Sequence, residues 1–161
     1  MLVGTSARRW LAVALFIACG HDDRGAQPEL APVPPTATTF DVEVGTGTSD
    51  YQPIADGAEV DLVRGTQGGW HIWTAFRVDG AALQDVRVNL FARFNDGTSA
   101  GEPSSIALLL GARADGEQTH SGMRDFIYDG NQARGRRIVL RVEVIAGDGR
   151  HGAGERTVLG R

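Results

Sequence analysis

Lysine is absent from this chain, and cysteine occurs once. All 16 basic residues are therefore arginine, set against 20 acidic residues for a formal charge of −4. The arginines are scattered, so the missing lysine reflects base composition and marks no site. A mildly acidic chain lacks the basic face that binds nucleic acid. It also has little electrostatic attraction to anionic lipid headgroups. A single cysteine excludes an intrachain disulfide. Aromatic residues are few, at 7 %. No apolar run reaches the roughly 20 residues of a membrane-crossing helix. Alternating strands of about ten residues are too few for a transmembrane barrel. What is plentiful is glycine, 22 residues in 161. A chain of this length suggests one domain built from short elements and many turns.

The lone cysteine, Cys19, has a telling position. Arg8 and Arg9 supply a positive start, and Trp10 to Ala18 form a short apolar run. The run ends Phe16-Ile17-Ala18-Cys19-Gly20. At about nine residues it suits a signal h-region rather than a mature span. The segment resembles bacterial lipoprotein signal peptides. Ala18 is the small residue expected before the cut, and Phe16 stands where Leu is usual. The resemblance implies removal of residues 1–18, a diacylglycerol on the Cys19 sulfur and acylation of the new amine. One acyl chain anchors only marginally, while two or more hold firmly. The protein is then exported and lipid-anchored to a bacterial membrane, the outer membrane if the cell is Gram-negative. Arg8-Arg9 leaves the general and twin-arginine export routes both open.

Residues 19–39 hold four of the six prolines, at positions 28, 32, 34 and 35, and no hydrophobic period. Such a stretch cannot offset its ordering entropy by burial, so it is expected as an extended tether.

Period-two alternation begins at Phe40. Phe40, Val42 and Val44 alternate with Asp41 and Glu43, and Val60 and Leu62 with Glu59 and Asp61. Trp70, Ile72, Thr74, Phe76 and Val78 share one face of a long segment, with His71, Trp73 and Arg77 on the other. Residues 86–94 and 137–144 repeat the pattern. These read as half-buried strands. Ile106 to Leu110 reads as a strand or a brief helix. Asp125 to Tyr128 and Arg156 to Leu159 read as edge strands. Asp-Gly pairs at 56–57, 79–80, 96–97, 115–116, 129–130 and 148–149 suit turns needing positive φ. The expected fold for residues 40–161 is all-β, an antiparallel sandwich of about seven to eight strands. The closing segment, residues 136–160, resembles the last hairpin of immunoglobulin-like and fibronectin-like domains, which implies an immunoglobulin-like sandwich. The antibody-type Cys…Trp…Cys core is missing.

The stretch from Arg64 to Trp73, with glycines at 65, 68 and 69, is the most unusual. It reads structurally as a glycine-rich hairpin or bulge entering a central strand. It is not a phosphate loop, because the Gly-Lys pattern and following helix are missing. Functionally, an outward Trp73 beside His71 and Arg77 suits stacking on a sugar ring or anchoring a protein partner. A metal site is the alternative. His71, His120, Met123 and His151 are the available softer ligands, and His and Met suit copper. No thiolate remains for a blue-copper site once Cys19 carries lipid. No calcium loop is present. Ser104 and Ser105 lack a Gly-x-Ser-x-Gly setting. The expectation is a non-enzymatic envelope module without a cofactor, binding a protein or glycan, with a copper-handling lipoprotein as the alternative.

Overall fold

The structure, a computed structural model, describes residues 40–111 and 116–161. The expected signal peptide, Cys19 and the tether lie outside the described residues. The described part is mostly β. Its strands are β1 (Val42–Thr46), β2 (Gln52–Pro53), β3 (Glu59–Val60), β4 (Val63–Arg64), β5 (Trp70–Asp79), β6 (Asp85–Phe94), β7 (Ser104–Leu109), β8 (Glu117–Ile127), β9 (Arg137–Ala146) and β10 (His151–Gly160). One short helix, α1 (Gly130–Ala133), joins β8 to β9.

The strands form two sheets. In the first, β5 is central: β8 pairs along one side, while β1 and β4 share the other. β2 extends this sheet beyond β1. The second sheet has the order β3-β10-β9-β6-β7. Pairing is antiparallel, save for the two-residue parallel contact of β3 with β10.

One apolar cluster draws on both sheets. Val88 and Leu90 of β6 meet Ile138, Leu140, Val142 and Val144 of β9, all fully buried. Ile72, Phe76 and Val78 of β5 face them from the first sheet. Burying each such side chain contributes about 1.5–3 kcal/mol, which is why the alternating runs hold as strands.

Several expectations change in detail. Residues 106–109 belong to a strand, β7, with no helix. Residues 125–127 are the end of the much longer β8, which is an edge strand, and Tyr128 lies just beyond it. Residues 156–159 lie inside β10, which β9 and β3 flank, so they form no edge. The expected strand around Val60 shortens to Glu59–Val60. Glycines 57, 80, 97, 116 and 149 of the Asp-Gly pairs have positive φ. The pair Asp129-Gly130 instead opens α1: the Asp129 carboxylate accepts the N–H of Asn131 at 2.8 Å.

Two glycine placements shape the sheets. Phe76 pairs with His120 but Thr74 with Met123, so β8 carries one extra residue, a bulge at the positive-φ Gly122. On β10, a side chain at Gly152 would strike Phe40, and one at Gly154 would strike the Val42 carbonyl. These bare positions let β1 lie directly against β10, closing one side of the core.

Candidate ligand groove beside strand β5

The glycine-rich stretch forms a tight hairpin. Val63 pairs with His71 and Arg64 with Trp70. The loop closes when Gly65 N–H donates to the Gly69 carbonyl and Gly68 N–H donates to the Gly65 carbonyl, both at 3.1 Å. Gly68 and Gly69 have φ of +88° and +77°, a backbone that side chains disfavour. A groove opens between this loop and the outward face of β5 and β8. Arg64, Trp70, His71, Arg124 and Phe126 line it together with the loop.

Pairing across β5 and β8 sets the groove's side chains. His71 lies opposite Phe126, and Trp73 opposite Arg124. His71 meets the Trp73 ring edge-on at 4.8 Å. The Arg124 guanidinium stands 5.3 Å from the centre of the Trp73 ring, a cation–π contact. Phe126 is half exposed, at 48 %. Trp70 borders the groove, but its indole turns inward, against the core and where a Gly130 side chain would stand.

His71 is on the outward face yet only 6 % exposed, and its Nε2 is buried without a hydrogen-bond partner. Burial, and then the Arg124 charge, push its pKa below the ordinary histidine value. The imidazole is therefore neutral at physiological pH, able to donate or accept one hydrogen bond.

Arg77, grouped with these residues by strand polarity, lies apart. Four residues beyond Trp73 along a strand is about 13 Å. There it pairs with Glu43 and approaches Glu117 at 3.5 Å and Asp79 at 3.9 Å, with its guanidinium 5.5 Å from the centre of the Tyr51 ring. Burial, then Glu43, push the Tyr51 hydroxyl up to about 12.

The four candidate metal ligands are not brought together. His71 is at the groove. His120 is half-buried opposite Phe76, its ring centre 6.1 Å away. Met123 is in the core beside Thr74. His151 starts β10, opposite Ile145 in the other sheet. Among the described residues, no three His, Cys, Asp or Glu side chains are placed to hold a metal ion.

Three contributors to the groove escaped the sequence reading: Arg64, Arg124 and Phe126. Their only sequence signal was proximity to the glycine loop for Arg64. The other two depend on the register of β8. A further residue also went unnoticed. Asp125 lies opposite Ile72, is fully buried, and neither carboxylate oxygen has a partner. Burial raises its pKa from 3.8 to about 7.

No family model matches the sequence, and no curated protein does. Among solved structures, the chain is similar to that of a DUF4466 family protein from Parabacteroides merdae ATCC 43184. The identity is 10 %, over 74 % of this chain and 43 % of that one, with a TM-score of 0.32. The chain thus spans under half that protein's length, and at that TM-score the likeness bears on neither fold nor function.

Proposed function

We propose that the chain is a lipid-anchored module of the bacterial envelope, non-enzymatic, whose immunoglobulin-like sandwich presents the groove beside β5 to a protein or glycan partner. The strand order supports the sandwich. One sheet runs β1-β5-β8, and the other runs β7-β6-β9-β10. Those are the A-B-E and C′-C-F-G orders of immunoglobulin-like folds. Fold alone assigns no function. The observation that carries the binding role is a nearly buried His71 whose Nε2 lacks a partner at the wall of an open, aromatic-lined groove. Buried polar atoms are nearly always paired, so an orphan beside a groove points to a missing partner.

The anchor rests on the resemblance around Cys19. Mass spectrometry of the mature N-terminus is expected to find a cut before Cys19 and acyl chains on it; an unmodified Cys19 would remove the anchor. For binding, capture from envelope extract is expected to be lost in Trp73→Ala while circular dichroism stays unchanged. Equal capture by both proteins would remove the groove from the proposal. The copper alternative gains nothing from the dispersed positions of His71, His120, Met123 and His151. A copper titration of the full chain is expected to show no stoichiometric binding, and tight uptake would reverse the choice.

A further inference from the structure

The charge of the groove runs against the charge of the chain. The whole carries −4, yet two arginines and no carboxylate line this groove. Seven arginines among the described residues are paired with carboxylates within 4.0 Å. Arg64 and Arg124 are not among them, although Arg124 stands over Trp73. An arginine left without a carboxylate is a free planar donor fork suited to a ligand oxyanion.

Three further features narrow the ligand. Phe126 offers an exposed ring surface, which suits the C–H face of a pyranose. The orphaned His71 Nε2 offers one hydrogen bond, which suits a hydroxyl. Gly68 and Gly69 place no side chain over the mouth, and nothing within 4 Å would meet a Cβ at either position. A broad, branched ligand can therefore approach the loop backbone. Inorganic phosphate would use the arginines and leave the Phe126 ring idle. A glutamate side chain would leave both that ring and the imidazole idle. A sugar acid uses all three.

We propose that the groove is a subsite for a carboxylate-bearing sugar unit of an acidic polysaccharide, with Arg64 and Arg124 holding the carboxylate, His71 a ring hydroxyl, and Phe126 the sugar face. The inference rests on the binding-module reading above and names its ligand class.

The test is calorimetric titration of the full chain in detergent with a hexagalacturonate, with maltohexaose and hexaglutamate alongside. The acidic sugar is expected to bind and the other two to bind at least about tenfold more weakly, since one charge-assisted contact is worth about 1.5–3 kcal/mol. Arg124→Gln and Arg64→Gln are each expected to weaken the acidic sugar by about tenfold or more, and Phe126→Ala by a smaller factor. Arg150→Gln, whose partner is Asp148 in the β9–β10 turn, is expected to bind as the parent does. Raised salt is expected to weaken binding without abolishing it, because stacking survives screening. Near-ultraviolet circular dichroism of each variant checks the fold. Arg64 sits in an exposed hairpin, so its variant remains decisive if Arg124→Gln is perturbed. No binding of hexagalacturonate, equal binding of maltohexaose, or tighter binding of hexaglutamate overturns the sugar acid. If envelope capture still depends on Trp73 in those cases, only the ligand class falls. If capture is also unaffected by Trp73→Ala, the groove falls from the binding reading with it.

Discussion

The two ends of the β5 sheet treat their core-facing polar side chains in opposite ways. At the end holding Val78, Gln118 faces the core and is fully used. Its Oε1 accepts the Leu83 N–H at 2.6 Å, and its Nε2 donates to the carbonyls of Leu83 at 2.7 Å and Gly111 at 3.1 Å. On the outward face there, Arg77 has three carboxylates around it. At the end holding His71, Asp125 faces the core with no partner, the Thr74 hydroxyl nearby is also unpartnered, and His71 Nε2 is orphaned. Arg124 beside them has an aromatic ring and no carboxylate. At the first end the core-facing polar group is fully paired, although the Tyr51 hydroxyl and Arg77 Nε on the outer side lack hydrogen-bond partners. The other end holds polar groups whose burial costs free energy without return inside the chain. Such an imbalance, within one sheet, is a better pointer to a binding end than any single residue.

The strongest way to test this contrast is through Asp125. Its folded pKa of about 7 lies above the ordinary 3.8. The folded state therefore holds the proton longer than the unfolded state. Stability is then greatest near pH 4 and falls as pH rises to about 7, by on the order of 4 kcal/mol in total. Asp125→Asn is expected to flatten that slope. Urea unfolding at pH 4 and pH 8 should give nearly equal stabilities for parent and variant at the lower pH and a more stable variant at the higher. Parallel curves would show that Asp125 is not an unpaired buried acid. Next in size is Gln118→Leu, which strands the Leu83 N–H and carbonyl. Chemical denaturation is expected to show a loss of about 2–3 kcal/mol at both pH values. A neutral result would erase the contrast from its satisfied side. The smallest effect belongs to Arg77→Gln. Its partners are partly exposed, so the melting temperature is expected to drop slightly at low salt and match the parent at high salt.

How much of this was legible depended on what each strand buries. β5, β6 and β9 were readable because their inward rows are nearly all apolar, so alternation survives in the sequence. β8 was readable only at its end. Its inward row holds Gln118, His120 and Asp125, and the bulge at Gly122 shifts the period by one residue. The first half of β10 was hidden differently: Gly152 and Gly154 take inward positions where β1 supplies the packing, so the hydrophobic signal of the buried row comes only at Val158. The groove was half legible. Its loop glycines and His71 stood out by composition and alternation. Arg124 and Phe126 reach it only through pairing with Trp73 and His71, and a charged or aromatic residue on an outward strand face carries no mark of what it will stand beside. Arg77 shares their strand face but is separated by strand length, which alternation alone cannot register.

The closeness of β1 to β10 has a mechanical consequence. Phe40 lies over Gly152 and Val42 over Gly154, so the two strands run in the same direction. A pull between residue 40 and residue 160 would act along both strand axes. It would have to slide β1 past β10 and past β5. The rungs from Val42–Val78 to Gly45–Ala75 would then bear the load together, in shear, rather than opening one after another. Adding a side chain at Gly154 would lift β1 and turn that shared resistance into unzipping. For a domain held from its amino-terminal side, two bare positions on the final strand would govern how much force the fold can bear.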